Sequence, residues 1–404
     1  MPNSTPSPER LFSLLDHFQI EVPSWGFADT GTRFGKFVQP AAARSIDEKI
    51  TDAGQVHKYT AAAPTVAVHA LWDFPHGAKD VTGPIETAKK NGVRIGTINP
   101  NLFQDQAYKF GSACSPDAPA RDMADRHCLD CIELTKAVNP SGGGAWSLWF
   151  ADGTNYPGQD DILTRKKLMQ AALRRWHDAT PAGMTMYVEY KPFEPAFYHT
   201  DVADWGMAAA FCRHAGPRAK VLVDTGHHLP GTNIEHIVAF LIDEGLLGGF
   251  HFNDRKYADD DLTIGSIDPY AVFRIFHEIR SAEEIHGHNV GSIAYTVDQS
   301  HNLKPKIEAM IQTVVHAQEL FAKACLVDRK KLRDLQVRKD IVGAETLLRD
   351  AFYTDVRGLL AEWRKSKGID PNPMQAYRAS GYEARVAAER TAKYGAPTAG
   401  GGYA

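Results

Sequence analysis

Long apolar runs are missing from this chain. No stretch approaches the roughly 18 uninterrupted apolar residues that a membrane helix needs, so a helical span is not expected. Cysteine is scarce: the five (Cys114, Cys128, Cys131, Cys212 and Cys325) are an odd number spread over 404 residues. That is the pattern of reduced thiols rather than of a disulfide framework. The opening Met1-Pro2-Asn3-Ser4 lacks the basic-then-apolar layout of a signal peptide, and the expected location is the cytoplasm. Also absent are a G-x-G-x-x-G turn, a P-loop and a G-x-S-x-G elbow, the usual signatures of dinucleotide binding, nucleoside triphosphate binding and serine hydrolysis.

What is present is ordinary globular material, 43% hydrophobic and 23% charged with a net charge of -4, enough for a large core. The charge is unevenly placed. From Lys323 onward 16 Lys+Arg face 10 Asp+Glu, a surplus of +6, which leaves -10 on residues 1–322. A basic tail on an acidic body is expected to dock on protein, its own or a neighbouring copy's. Nucleic acid is not the expected partner, because the tail interleaves both signs and no Lys/Arg stripe alternates with aromatics.

Short β-branched or aromatic runs recur at 19–24, 64–69, 93–98, 145–150, 184–190, 219–224, 248–252 and 292–297. Between them, segments such as 120–138, 162–178, 233–244 and 269–280 place apolar residues three and four apart, as amphipathic crossover helices do. Crossovers imply parallel pairing. Eight such units over about 300 residues predict an α/β fold, a (β/α)8 TIM barrel. The barrel is expected over residues 1–322, with a C-terminal α-helical extension over 323–404 for subunit contacts. The extension reads as helices at 326–336, 344–366 and 382–394, interrupted at 368–373, and its Gly400-Gly401-Gly402 end is expected to be disordered.

In such a barrel the carboxyl ends of the strands face one mouth. The fifth run ends Glu189-Tyr190-Lys191, the sixth Asp224-Thr225-Gly226-His227, the seventh His251-Phe252-Asn253 with Asp259-Asp260-Asp261 in its loop, and the eighth Asp298. Five carboxylates (Glu189, Asp224, Asp259, Asp261, Asp298), two imidazoles (His227, His251) and one ammonium (Lys191) sum to -4. Two carboxylates about 4 Å apart repel by about 4 kcal/mol at an effective dielectric of about 20, so five in one mouth need counter-charge. Two divalent cations per chain would supply it. Mixed oxygen and imidazole donors favour Mn²⁺, with Co²⁺ or Mg²⁺ as alternatives. Glu189, Asp224, His251 and Asp298 come from four successive strands and could enclose one ion; Asp259 and Asp261, two apart, could clamp the other with His227. Each alone reads as a surface charge or a core histidine, but together at consecutive strand ends they read as a site.

Glu189-Tyr190-Lys191-Pro192-Phe193-Glu194-Pro195 resembles the E-x-K-P-x-E-P signature of the xylose isomerase family, and Asp259-Asp260-Asp261-Leu262 its D-x-D-L metal loop. The xylose-specific members differ at the positions of Asp224, His251 and His69-Ala70-Leu71-Trp72-Asp73. There the chain is similar instead to the broad-specificity L-rhamnose isomerases, which share Pro23-Ser24-Trp25, Gly31-Thr32-Arg33-Phe34, the H-x-x-W-D strand end and Asp224-Thr225-Gly226-His227-His228. The likeness spans about residues 8 to 330. It implies a first metal on Glu189, Asp224, His251 and Asp298 that holds two adjacent sugar oxygens, and a second on His227, Asp259 and Asp261 that holds a catalytic water. It also implies a Phe34 loop reaching into a neighbouring subunit's site, within a homotetramer.

Carried through, this reading expects an isomerase interconverting L-rhamnose and L-rhamnulose with relaxed specificity. Asp298, Lys191 and His69 are the catalytic candidates. Lys191 would stabilise charge at O1, and His69 would meet the ring oxygen or O5 and assist ring opening. Trp72, Phe103, Trp149 and Phe34, with His69 and Lys191, are the substrate-binding candidates, because sugar C–H faces rest on flat apolar surfaces. Rival readings on the same barrel are a sugar epimerase, which would use one metal and two catalytic carboxylates, and a metal-dependent hydrolase, which would want more histidines and a basic mouth. A sugar-binding protein without turnover is the non-enzyme rival. Cys128-Leu129-Asp130-Cys131 resembles half a zinc or redox motif, but it falls within a predicted helix and has no second pair.

Overall fold

The computed structural model describes residues 7–29 and 37–396. Eight parallel strands, β1 (Glu21–Pro23), β2 (Thr65–His69), β3 (Arg94–Asn99), β4 (Ala145–Leu148), β5 (Thr185–Glu189), β6 (Ala219–Asp224), β7 (Leu247–Phe252) and β8 (Ala294–Val297), pair in chain order. The circle closes where Glu21 of β1 aligns with Thr296 of β8. With helices around it, this is the (β/α)8 TIM barrel. All residues of β2 and β7 are buried, because a parallel strand has barrel filling on one face and crossover helices on the other.

Two strands are shorter than their apolar runs suggest. The first ends at Pro23 because Ser24–Phe27 coils into a 3-10 turn, and the fourth ends at Leu148, leaving Trp149 and Phe150 in the following loop. The helix layer meets the sheet through aromatic packing. Phe18 stacks on Phe321 at 4.1 Å between centroids and meets Phe276 edge-on at 5.3 Å. Cys128 and Cys131 lie in the helix Ala118–Val138 with both thiols buried, and burial pushes the Cys128 thiol well above its usual range. Among the described residues, no helix is long and apolar enough to cross a membrane.

The carboxyl-terminal helices are Arg329–Val337, Ile341–Tyr353, Arg357–Ser366, Pro373–Ala379 and Tyr382–Tyr394. Residue 323 lies within the helix Lys306–Cys325, and the next helix begins at Arg329. One expectation needs correction here. The single helix expected over 344–366 is two, because Thr354 turns extended and Asp355 Oδ1 accepts from Arg357 N at 3.0 Å to start the second. The basic tail docks on the chain's own acidic groups: Arg390 donates to both oxygens of Asp52 at 2.9 Å, and Arg378 pairs with Glu308 at 2.6 Å. Phe34 and Gly400-Gly401-Gly402 lie outside the described residues.

Candidate active site

Register brings the chemistry together. Asp224 of β6 aligns with His251 of β7, Val297 of β8 with Phe252, and Glu189 ends β5 beside Leu222, so Glu189, Asp224, His251 and Asp298 emerge at the same mouth. Alternation along β7 points His251 inward while Phe250 and Phe252 stack on each other at 4.7 Å. One donor atom from each of Glu189, Asp224, His251 and Asp298 can be chosen so that all lie within 4.8 Å of one another. The same holds for Asp224, His227 and Asp259. Asp224 thus belongs to both groups.

His227 sits on the turn that leaves β6. Its Nδ1 lies 3.1 Å from both Tyr190 O and Glu189 Oε1, and its Nε2 lies 3.3 Å from Asp259 Oδ2. The loop after β7 is closed by a two-way bridge between Asp254 and Leu262, 2.8 Å in each direction. Inside that loop Asp260 accepts from Lys256 N at 2.8 Å, a turn-forming role, while Asp259 faces the cavity. Asp261 also lines the cavity, with a left-handed φ of 48°, near enough to feel Asp259, Asp298 and Asp224, though not among the donors that converge within 4.8 Å. Lys191 donates to Asp259 Oδ2 at 2.7 Å and is buried.

The electrostatics follow from this crowding. Burial alone would raise Glu189, but His251 and His227 hold it down at about 2. Burial, together with Glu189, Asp259 and Asp298, pushes Asp224 up to about 7. Burial and the neighbouring Asp259 push Asp261 well above the carboxylate range. Burial works against protonated His251, yet Glu189 and Asp298 lift it to about 9. Without added cations, protons do the compensating. Two buried atoms point to a better arrangement: Asp259 Oδ1 has no hydrogen-bond partner, and His251 Nδ1, 3.2 Å from Glu189 Oε2, faces it only as a poorly aligned ion contact. Hard-oxygen and imidazole donors left open at this spacing fit divalent cations.

Opposite the acids stands an aromatic wall. His69 lies over Trp72 at 3.9 Å between centroids, and Phe103 meets Trp149 edge-on at 4.9 Å. Lys191 Nζ sits 5.3 Å from the Trp149 ring centroid. Burial, Lys49 and His251 push the His69 imidazole down to about 3, so the ring is neutral and able both to donate and to accept. The cavity between the acids and this wall holds about 170 Å³. A larger one, about 710 Å³, opens at the opposite end of the barrel around Glu21, Arg94 and Tyr187, but gathers no donor group among the described residues.

No family model matches the chain. A probable sugar isomerase of Rhizobium meliloti is 40% identical over 390 residues, 95% of this chain and 88% of that one. A probable sugar isomerase of Mesorhizobium japonicum is 40% identical over 386 residues, 94% and 88% of the two chains. The chain belongs to this sugar isomerase family. A solved L-ribulose 3-epimerase shares the fold, with a TM-score of 0.57 at 13% identity over 78% of this chain and 97% of the other.

For this sugar isomerase family member the structure adds three residues to those picked from the sequence. Trp25 Nε1 donates to Asp298 Oδ1 at 2.9 Å. Asn253 Nδ2 donates to Asp224 Oδ1 at 2.9 Å. Asp73 accepts from Ser24 Oγ at 2.5 Å, Lys49 Nζ at 2.6 Å and His69 N at 2.9 Å, which pins the backbone beneath His69. Asn253 was reachable from the pattern, since it lies two residues beyond His251 on the same face of an extended segment. Asp73 closes the H-x-x-W-D strand end four residues after His69, whereas the Trp25 contact is one that no spacing encodes.

Proposed function

We propose that the chain is an aldose–ketose isomerase that works with two divalent cations, and that L-rhamnose and L-rhamnulose are its main pair, with other sugars accepted. The observation that carries this reading is the pair of donor groups sharing the buried Asp224, beneath a cavity of about 170 Å³ walled by aromatics. That volume suits one monosaccharide. Glu189, Asp224, His251 and Asp298 would hold the first cation, and His227 and Asp259, with Asp224 or Asp261, the second; Mn²⁺ fits the donor set. The cations supply Lewis acidity to adjacent sugar oxygens and bring a bound water's pKa toward neutrality.

Isomerisation moves one hydrogen between C1 and C2 and one proton between O1 and O2. Asp298, next to both a cation position and the cavity, is the residue assigned to handle the proton. Neutral His69 hydrogen-bonds the ring oxygen or O5 and so assists opening. Lys191, whose charge is offset by Asp259, lies beside Trp149 and stabilises negative charge at O1. Trp72, Phe103 and Trp149 support the sugar's C–H faces and exclude water; Phe34 is assigned there by resemblance alone, from a neighbouring copy in a homotetramer. Five buried thiols without disulfides accord with a cytoplasmic enzyme.

The test is a sugar panel with Mn²⁺, following ketose formation from aldoses. Ketose from L-rhamnose supports the proposal. Conversion of ketoses only into their C3 epimers assigns the site to epimerisation instead. Asp261→Asn is expected to lower turnover at least tenfold with less effect on KM; equal losses would remove Asp261 from the second cation.

A further inference from the structure

Asp224 has an unusual burden on the two-cation reading, because it belongs to both donor groups. A fully buried carboxylate serving two ions must be held in one orientation. Its Oδ1 is occupied, accepting from Gly226 N at 2.7 Å and Asn253 Nδ2 at 2.9 Å. Its Oδ2 is left with a longer contact to the same Nδ2, 3.2 Å, and stands 3.9 Å from His227 Nε2. Oδ2 is therefore the more lightly held oxygen and the one with a lone pair to spare for ligation.

The backbone of Asn253 is itself locked, while its buried Oδ1 has no hydrogen-bond partner. Asn253 is 1% exposed, its N donates to Thr225 Oγ1 at 3.0 Å, and its carbonyl accepts from the same hydroxyl at 2.8 Å. The amide nitrogen has to face Asp224, since an oxygen there would meet two carboxylate oxygens. The chain makes room for this amide: a Cβ on residue 226 would lie 2.5 Å from Asn253 Oδ1, so only glycine fits. We propose that Asn253 is a positioning residue that presents Asp224 to both cations, its amide bridging the two carboxylate oxygens and holding Oδ1 the more tightly. An amide meets the need because it donates without adding a negative charge to an already anionic mouth.

This inference rests on the two-cation reading, and the experiment separates them. Mn²⁺ is titrated by calorimetry into the metal-free full chain, then into Asn253→Ala, Asn253→Asp and Asn99→Ala. Asn99 is another buried strand-end amide of the cavity, but its Nδ2 donates to Val68 O at 3.2 Å rather than to a carboxylate. The wild type should bind two Mn²⁺ per chain; fewer overturns the reading of the site itself. Both Asn253 variants should lose roughly 10–100-fold in affinity for at least one ion, while Asn99→Ala keeps both affinities. Wild-type affinities in either Asn253 variant, or an equal loss in Asn99→Ala, overturn the role of Asn253. If the alanine variant does not fold, the near-isosteric Asn253→Asp decides; failure of both to fold makes Asn253 a folding residue and overturns the proposal as well.

Discussion

Trp25 and Asp298 join the two ends of the barrel's strand order: the indole Nε1, just past β1, donates to the carboxylate just past β8 at 2.9 Å. The bond holds Oδ1 and leaves Oδ2 3.7 Å from His251 Nδ1. Trp25→Phe keeps an aromatic ring near His69, whose centroid lies 5.5 Å away, and removes only the donor. A hydrogen bond to a charged group contributes about 1.5–3 kcal/mol, so turnover should fall roughly 10–100-fold. Steady-state kinetics check this, and an unchanged kcat would separate Trp25 from the chemistry.

Removal of divalent cations should both abolish isomerase activity and lower the melting temperature. The acids at the strand ends then rely on protons and on each other, and binding no longer favours the folded state. At a free ion concentration 100 times Kd the linkage is worth about 2.7 kcal/mol per site. Melting curves with chelator and with Mn²⁺ give the answer; coincident curves would contradict a built cation site.

Acid should destabilise the fold through histidines that are buried neutral. Burial, aided by Arg329, pushes His277 down to about 3, and burial places His228 at about 3 and His301 at about 4. In the unfolded chain a histidine protonates below about pH 6.5. Unfolding therefore takes up protons between about 6.5 and these folded values, and stability is lost as pH falls through that window. The slope is about 1.4 kcal/mol per pH unit for each group. His277→Gln should show a smaller drop in melting temperature than the wild type between pH 7 and pH 5, and an equal drop would refute the assignment.

Arg390 clamps the last helix to Asp52, which is fully buried and also accepts from Tyr382 OH at 2.9 Å. Arg390→Met leaves that carboxylate without its cation, a change that costs about 3–5 kcal/mol in comparable buried pairs. Urea unfolding should show the loss, and trypsin should release the Tyr382–Tyr394 segment early. Wild-type resistance in both assays would mean that the clamp is dispensable.

Much of the barrel is legible in the sequence for a physical reason: strands buried on two faces leave uninterrupted apolar runs that stand out between amphipathic helices. The acids are legible because chain direction alone sends each strand's last residues to the same mouth. Side-chain partnerships are not. The Trp25–Asp298 bond spans 273 residues, and its formation depends on barrel closure. The break before Arg357 is equally hidden, since apolar spacing continues across Thr354 and Asp355 while backbone hydrogen bonding does not. Asp261 shows a third kind of gap: a D-x-D spacing sets two carboxylates near each other, but the left-handed turn at the second decides where it points.

The helix Ile46–Thr60 carries Lys49 and Asp52 one turn apart. Lys49 supports Asp73 under His69, and Asp52 receives Arg390 from the far end of the chain. The two ion pairs thereby link the cavity wall at His69 to the helix Tyr382–Tyr394. A disturbance that loosens the helix Tyr382–Tyr394 is therefore one helical turn away from the support beneath His69, without touching any carboxylate of the mouth.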